Sequence, residues 1–128
     1  MDKQTVGKLI EQAKKFSEFA YCPYSDTPIG ACVLTQNGML FGGCNIENVS
    51  LSNSLGAIEV AVCKAVSEGC FNIMAVAVYN ENMMPFPTGT ERQILREFSS
   101  VAQVIISNGK GEIEELNMQE LLPFPRDK

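Results

Sequence analysis

The chain has 128 residues, 45% hydrophobic and 20% charged, with a formal net charge of −5 and no histidine. This predicts one domain over residues 1–128 that buries its own core without disulfides or a structural metal. The acidic balance, with Lys and Arg scattered among acids, argues against a nucleic acid polymer as partner. No apolar run approaches the roughly 18 residues that span a membrane, and Met1-Asp2-Lys3-Gln4 starts a polar helix rather than a secretory signal. The expected location is the cytoplasm. Without histidine, Ser-His-Asp and Cys-His nucleophile arrangements are excluded. The five cysteines, Cys22, Cys32, Cys44, Cys63 and Cys70, contain no C-x-x-C pair and are expected as small buried hydrophobes.

From Gln4 to Ala20 the apolar residues Val6, Leu9, Ile10, Ala13, Phe16 and Phe19 recur at helical spacing, which predicts an amphipathic helix closed by Cys22-Pro23. Ile29 to Thr35 and Met39 to Cys44 read as two strands around Asn37-Gly38, a two-residue hairpin signal. Ser52-Asn53-Ser54 offers N-caps for a second helix ended by Gly69. Ile73 to Tyr79 reads as a buried strand, Thr90 to Phe98 as a helix, and Val101 to Ser107 as another buried strand. A short strand near Ile113 and a last helical turn from Met118 to Leu122 complete the chain. The order αββαβαβ predicts a mixed sheet between helices, an α/β class.

Several ordered blocks carry a resemblance: Ala20-Tyr21-Cys22-Pro23-Tyr24-Ser25 with Pro28-Ile29-Gly30-Ala31, then Gly43-Cys44-Asn45-Ile46-Glu47-Asn48, and Lys64-Ala65-Val66-Ser67-Glu68-Gly69. Arg92 to Phe98 and Glu120-Leu121-Leu122-Pro123-Phe124 follow at matching spacing. Together, from Phe16 to Phe124, the chain resembles the small, homotetrameric cytidine deaminases. The resemblance implies a three-layer α/β/α sandwich with a five-stranded mixed sheet, a homotetramer, and a nucleoside-like small-molecule partner.

That family couples a C-x-E or H-x-E block to a P-C-x-x-C block: three donors hold zinc, and a separate glutamate moves protons. The matching positions here are Gly56, Thr88 and Glu91, with Ile58 in place of the glutamate. Glycine has no donor, one hydroxyl and one carboxylate do not replace three thiolates, and Ile58 cannot exchange a proton. The resemblance therefore implies a divergent member with no metal ligands, no zinc cofactor and no catalytic residue of that type. Thr88-x-x-Glu91 ahead of Ile94 and Leu95 also reads as a capping box, and Ile58 as filler of the space a metal would vacate.

Glu59 stands where all-cysteine members carry an arginine, and an ion pair from Glu59 to Arg92 is expected. Asn45, Glu47 and Ala57 are the substrate-binding residues that the resemblance carries over. Asn45 and Glu47 leave one face of a strand end and can grip a ribose diol, or simply close the strand. The family's pocket phenylalanine is Thr27, and its C-terminal stacking aromatic falls at Arg126. Arg126 and two metal-free helix starts offer an anion as an alternative ligand. Three functions follow: a nucleoside-binding or regulatory pseudoenzyme, an enzyme of altered, metal-free chemistry using Glu59 or Glu91, or a structural subunit of an active paralogue.

Overall fold

A computed structural model describes residues 1–127. Helix α1 (Lys3–Ser17) is capped by the Asp2 carboxylate, which accepts the Thr5 N–H at 2.7 Å, and buries Val6, Leu9 and Ala13. It ends before the expected Ala20. Glu18, Phe19 and Ala20 donate to carbonyls three residues back, the tighter bonding that often closes a helix. Strands β1 (Gly30–Thr35) and β2 (Leu40–Cys44) form the expected hairpin.

The hairpin loop differs from the two-residue expectation. Thr35 N–H donates to the Met39 carbonyl at 3.0 Å and Gly38 N–H to the Thr35 carbonyl at 3.0 Å, which leaves a three-residue connection. Gly38 alone takes the left-handed conformation, φ +83°, as three-residue hairpins require at that place. The Thr35 hydroxyl accepts the Met39 N–H at 3.2 Å and fixes this closure.

Helix α2 (Ala57–Ser67) also starts later than the serines suggest, with Gly56 as its N-cap. Leu55 exchanges two backbone hydrogen bonds with Ile46, at 2.8 and 2.9 Å, and this bridge keeps the chain extended up to Gly56. Ser52 and Asn53 fall in a 3₁₀ turn, Leu51–Asn53, and the Ser54 hydroxyl accepts the Asn48 N–H at 2.9 Å instead of capping a helix.

Strands β3 (Ile73–Asn80), β4 (Gln103–Asn108) and β5 (Ile113–Asn117) alternate with α3 (Gly89–Phe98) and precede α4 (Met118–Leu121). The sheet order is β2-β1-β3-β4-β5; only β3 and β4 pair in parallel. Helix α1 covers one face through Leu9 and Ala13 against Cys32, Ala77 and Ile105. Helices α2 and α3 cover the other through Ile58, Ala61 and Leu95 against Val33, Val76 and Val104. This is the expected three-layer sandwich. Both faces of the central strands are buried, which is why they read as continuous apolar runs.

Of the cysteines, only Cys32 is buried, its thiol pushed up to about 11 by loss of solvent. Cys22, Cys44 and Cys70 are half-buried, and Cys63 is exposed on the outward face of α2. The expectation of five core cysteines is corrected: α2 is packed on one side only, which exposes Cys63, and Cys22, Cys44 and Cys70 lie in loops or at a strand end rather than inside the layers. No helix among the described residues is long and apolar enough to cross a membrane.

The closeness of α2 to the sheet rests on Gly43. A β-carbon there would lie 2.5 Å from the Ala61 nitrogen and 2.7 Å from the Ala57 carbonyl. Gly43→Ala is expected to destabilise by about 1–3 kcal/mol or more, as overpacking does. Gly7→Ala, in exposed α1 with nothing within 4 Å of the new carbon, is expected to stabilise by roughly 0.5–1 kcal/mol. Denaturant titration of the two variants checks both signs.

Candidate functional site

The end of β2 and the starts of α2 and α3 meet at one edge of the sandwich. Between them lies a cavity of about 430 Å³, and its lining includes Asn45, Glu47 and Ala57 together with Gly56, Glu59, Phe86, Thr88 and Glu91. The three residues expected to bind substrate are thus brought together. Another cavity, of about 350 Å³ beside Thr35 and Cys70, gathers no charged side chain.

Asn45 is 8% exposed. Its Oδ1 accepts the Ile29 N–H at 2.9 Å and its Nδ2 donates to the Thr27 carbonyl at 2.9 Å. Glu47 accepts the N–H groups of Tyr24 and Ser25, at 3.0 and 3.1 Å, and the Ser25 hydroxyl at 2.5 Å. The Ser25 hydroxyl first, then the backbone N–H groups, hold the Glu47 carboxyl below its ordinary value. The N-x-E pair therefore anchors the loop between α1 and β1. Capacity remains: the second Nδ2 hydrogen of Asn45 and further carboxylate lone pairs of Glu47 match a hydroxyl that both accepts and donates. Ala57 offers the cavity only a methyl group and its backbone.

At the start of α3 the capping box forms as the sequence expects. Thr88 Oγ1 accepts the Glu91 N–H at 3.1 Å, and Glu91 Oε1 accepts the Thr88 N–H at 3.1 Å. Glu91 does more than this, because its Oε2 also accepts the Ile58 N–H of α2 at 2.9 Å. The residue is 7% exposed. A β-carbon on Gly56 would sit 2.4 Å from that same Oε2. The carboxylate of Glu91, rather than the side chain of Ile58, lies against Gly56. Ile58 is fully buried in the core beneath α2.

The expected Glu59–Arg92 ion pair does not form. Glu59 Oε1 accepts the Gly56 N–H at 3.1 Å and caps its own helix. Arg92 donates to the Pro87 carbonyl at 2.8 Å and the Leu121 carbonyl at 2.9 Å. Each side chain finds backbone partners closer to hand. The helix starts are not free for an anion: carboxylates already hold the N–H groups of Gly56, Ile58 and Thr88, while the Arg126 carbonyl accepts the Gln93 side-chain N–H at 3.0 Å. Thr27 is also outside that lining; its hydroxyl donates to the Ser25 carbonyl at 3.1 Å.

Among the described residues no three His, Cys, Asp or Glu side chains form a group that could hold a metal ion. Gly56 has no donor, while Thr88 and Glu91 are engaged with each other. These residues do not fit a catalytic zinc, which takes three protein ligands. Sequence reasoning missed Phe86, whose place between Pro85 and Pro87 marks it only as part of a turn. It also missed the bond from Ile58 to Glu91, for which residues 33 apart carry no local signal.

Residues 3–107 match the family described as the cytidine and deoxycytidylate deaminase zinc-binding region, a span that includes Gly56, Thr88 and Glu91. A cytidine deaminase of Sporosarcina psychrophila is 42% identical over 120 residues, covering 92% of this chain and 88% of the relative. One from Halalkalibacterium halodurans is 38% identical over 125 residues, covering 96% and 92%. The crystal structure of cytidine deaminase from Burkholderia pseudomallei matches with a TM-score of 0.91 at 32% identity, over 98% of this chain and 100% of that one. Sequence and fold agree, and the chain belongs to the cytidine and deoxycytidylate deaminase family.

Proposed function

We propose that this protein is a riboside-binding pseudoenzyme of its family, a single domain over residues 1–128 that has lost zinc and zinc-dependent deamination. The observation that carries the reading is the Glu91 carboxylate lying against Gly56 and bonded to the Ile58 N–H, where the family pattern needs metal donors and a proton-moving glutamate. Asn45 and Glu47 keep a donor and acceptors beside the cavity, suited to a ribose diol, with Ala57 completing the wall. The lining holds Glu47, Glu59 and Glu91 and no Lys or Arg. A phosphate would meet only like charge there, so the ligand class is an unphosphorylated riboside.

Glu59 favours a second reading, an enzyme of metal-free chemistry. Only its Oε1 has a protein partner among the described residues, and the side chain lines the cavity, so Glu59 is positioned to serve as a base toward a bound ligand. Assembly into a homotetramer accords with the exposed apolar side chains of Ile46, Val49, Leu51 and Leu55 on the loop beside the cavity. A cytoplasmic location accords with five unpaired cysteines.

Metal analysis of the purified protein is expected to find no stoichiometric zinc, and ammonia release from cytidine is expected to stay at the uncatalysed rate. About one zinc per chain, or turnover that survives removal of host deaminase, overturns the pseudoenzyme reading. Zinc-free turnover abolished by Glu59→Gln favours the second.

Titration calorimetry is expected to show cytidine or uridine binding, with the 5′-monophosphate and the free base both weaker. Asn45→Ala should weaken riboside binding by about 1–3 kcal/mol, the usual effect of leaving a buried polar partner unmet. Equal affinity for the free base would remove the sugar from the recognised group.

The loop anchored by Glu47 is expected to loosen in acid. Its folded-state pKa lies below the ordinary 4.5, so the anchoring is fully present above that value and is lost as pH falls through the lower folded one. Hydrogen exchange at the Tyr24 and Ser25 amides should accelerate relative to the sheet amides over that acid range. Glu47→Gln should abolish this pH step.

A further inference from the structure

The residues that fail to fit a metal fit one another. The starts of α2 and α3 each present backbone N–H groups without helical partners, carrying partial positive charge toward the same point. The Glu91 carboxylate stands at that point. It accepts the Ile58 N–H from α2 at 2.9 Å, the Thr88 N–H at the head of α3 at 3.1 Å, and the Thr88 hydroxyl at 3.2 Å. Among the described residues no ion pair reaches it, and the nearest guanidinium in sequence, Arg92, donates to two carbonyls. A carboxylate 7% exposed is thus balanced by two helix starts and a hydroxyl.

Its room comes from Gly56. A β-carbon at that position would lie 2.4 Å from Glu91 Oε2 and 2.8 Å from its Cδ. Nothing flexible could move aside except the carboxylate itself, and moving it would strip the Ile58 and Thr88 N–H groups of their acceptor.

We infer that the Glu91 carboxylate replaces a metal ion as the cross-link between the two helix starts, and that Gly56 is glycine because that carboxylate occupies the space of its side chain. The two positions form one lock. A side chain at 56 is incompatible with Glu91 in place, and loss of Glu91 leaves unpaired N–H groups beside an empty pocket that a methyl at 56 could partly fill. The lock rests on the zinc loss proposed above, but not on which ligand the cavity takes.

A four-member denaturation cycle of the full chain tests it: the native sequence, Gly56→Ala, Glu91→Ala and the double variant. The lock requires Gly56→Ala to lower the denaturation midpoint at least about twofold more in the native background than in the Glu91→Ala background. Equal shifts in the two backgrounds overturn it. Should Gly56→Ala fail to fold, folding of the double variant supports the lock, and its failure while Glu91→Ala folds overturns it. Glu91→Gln, which keeps the shape but removes the charge, should lower the midpoint nearly as far as Glu91→Ala. An unchanged midpoint in that variant would overturn the cross-link, because an amide offers one acceptor oxygen where the two N–H groups use both carboxylate oxygens.

Discussion

Two helices that begin at the same edge of a sheet leave several N–H groups pointing at one another across a small gap, and those groups must be satisfied for the edge to close. In this protein one carboxylate meets that demand. Glu91 serves the start of its own helix through Thr88 and the start of α2 through Ile58, and the packing of both helices on the sheet fixes the distance between them. Glu59 completes the arrangement by taking the Gly56 N–H. The apex of the cavity is thereby built from side-chain carboxylates and backbone, with no donor set for a metal among the described residues.

The other end of the cavity has a different logic. Asn45 and Glu47 hold the segment between α1 and β1 by accepting its N–H groups and donating to one of its carbonyls. An amide and a carboxylate carry more hydrogen-bonding capacity than these contacts consume. The same two side chains can therefore order a loop and meet a ligand, so the structural and the binding readings of the N-x-E pair do not exclude each other. Anchoring keeps both side chains in place before any ligand arrives, which lowers the ordering cost of binding.

The charge lining this cavity is one-sided. Glu47, Glu59 and Glu91 all border it without a lysine or arginine in the lining, and the helix starts that would welcome an anion are already served by Glu59 and Glu91. Phe86 adds an apolar wall on the loop ahead of α3.

Local rules made most of the fold legible. Helical and strand periodicities, the turn at Gly38, the helix end near Gly69 and the Thr88-x-x-Glu91 box depend on neighbours a few residues apart, and each appears at or near its expected place. Gly56, Thr88 and Glu91 were legible as candidate positions for the same reason, through their fixed spacing, and all three line one cavity. Errors arose where a distant partner decided. Leu55 pairs with Ile46 and delays α2, Arg92 reaches the Leu121 carbonyl rather than Glu59, and one-sided packing of α2 leaves Cys63 exposed. Local pattern thus sufficed for the layers and their order. That Glu91 reaches across to Ile58 and fills the space beside Gly56 emerges only in the folded chain, because the contact joins two helices that nothing but packing on a common sheet brings together.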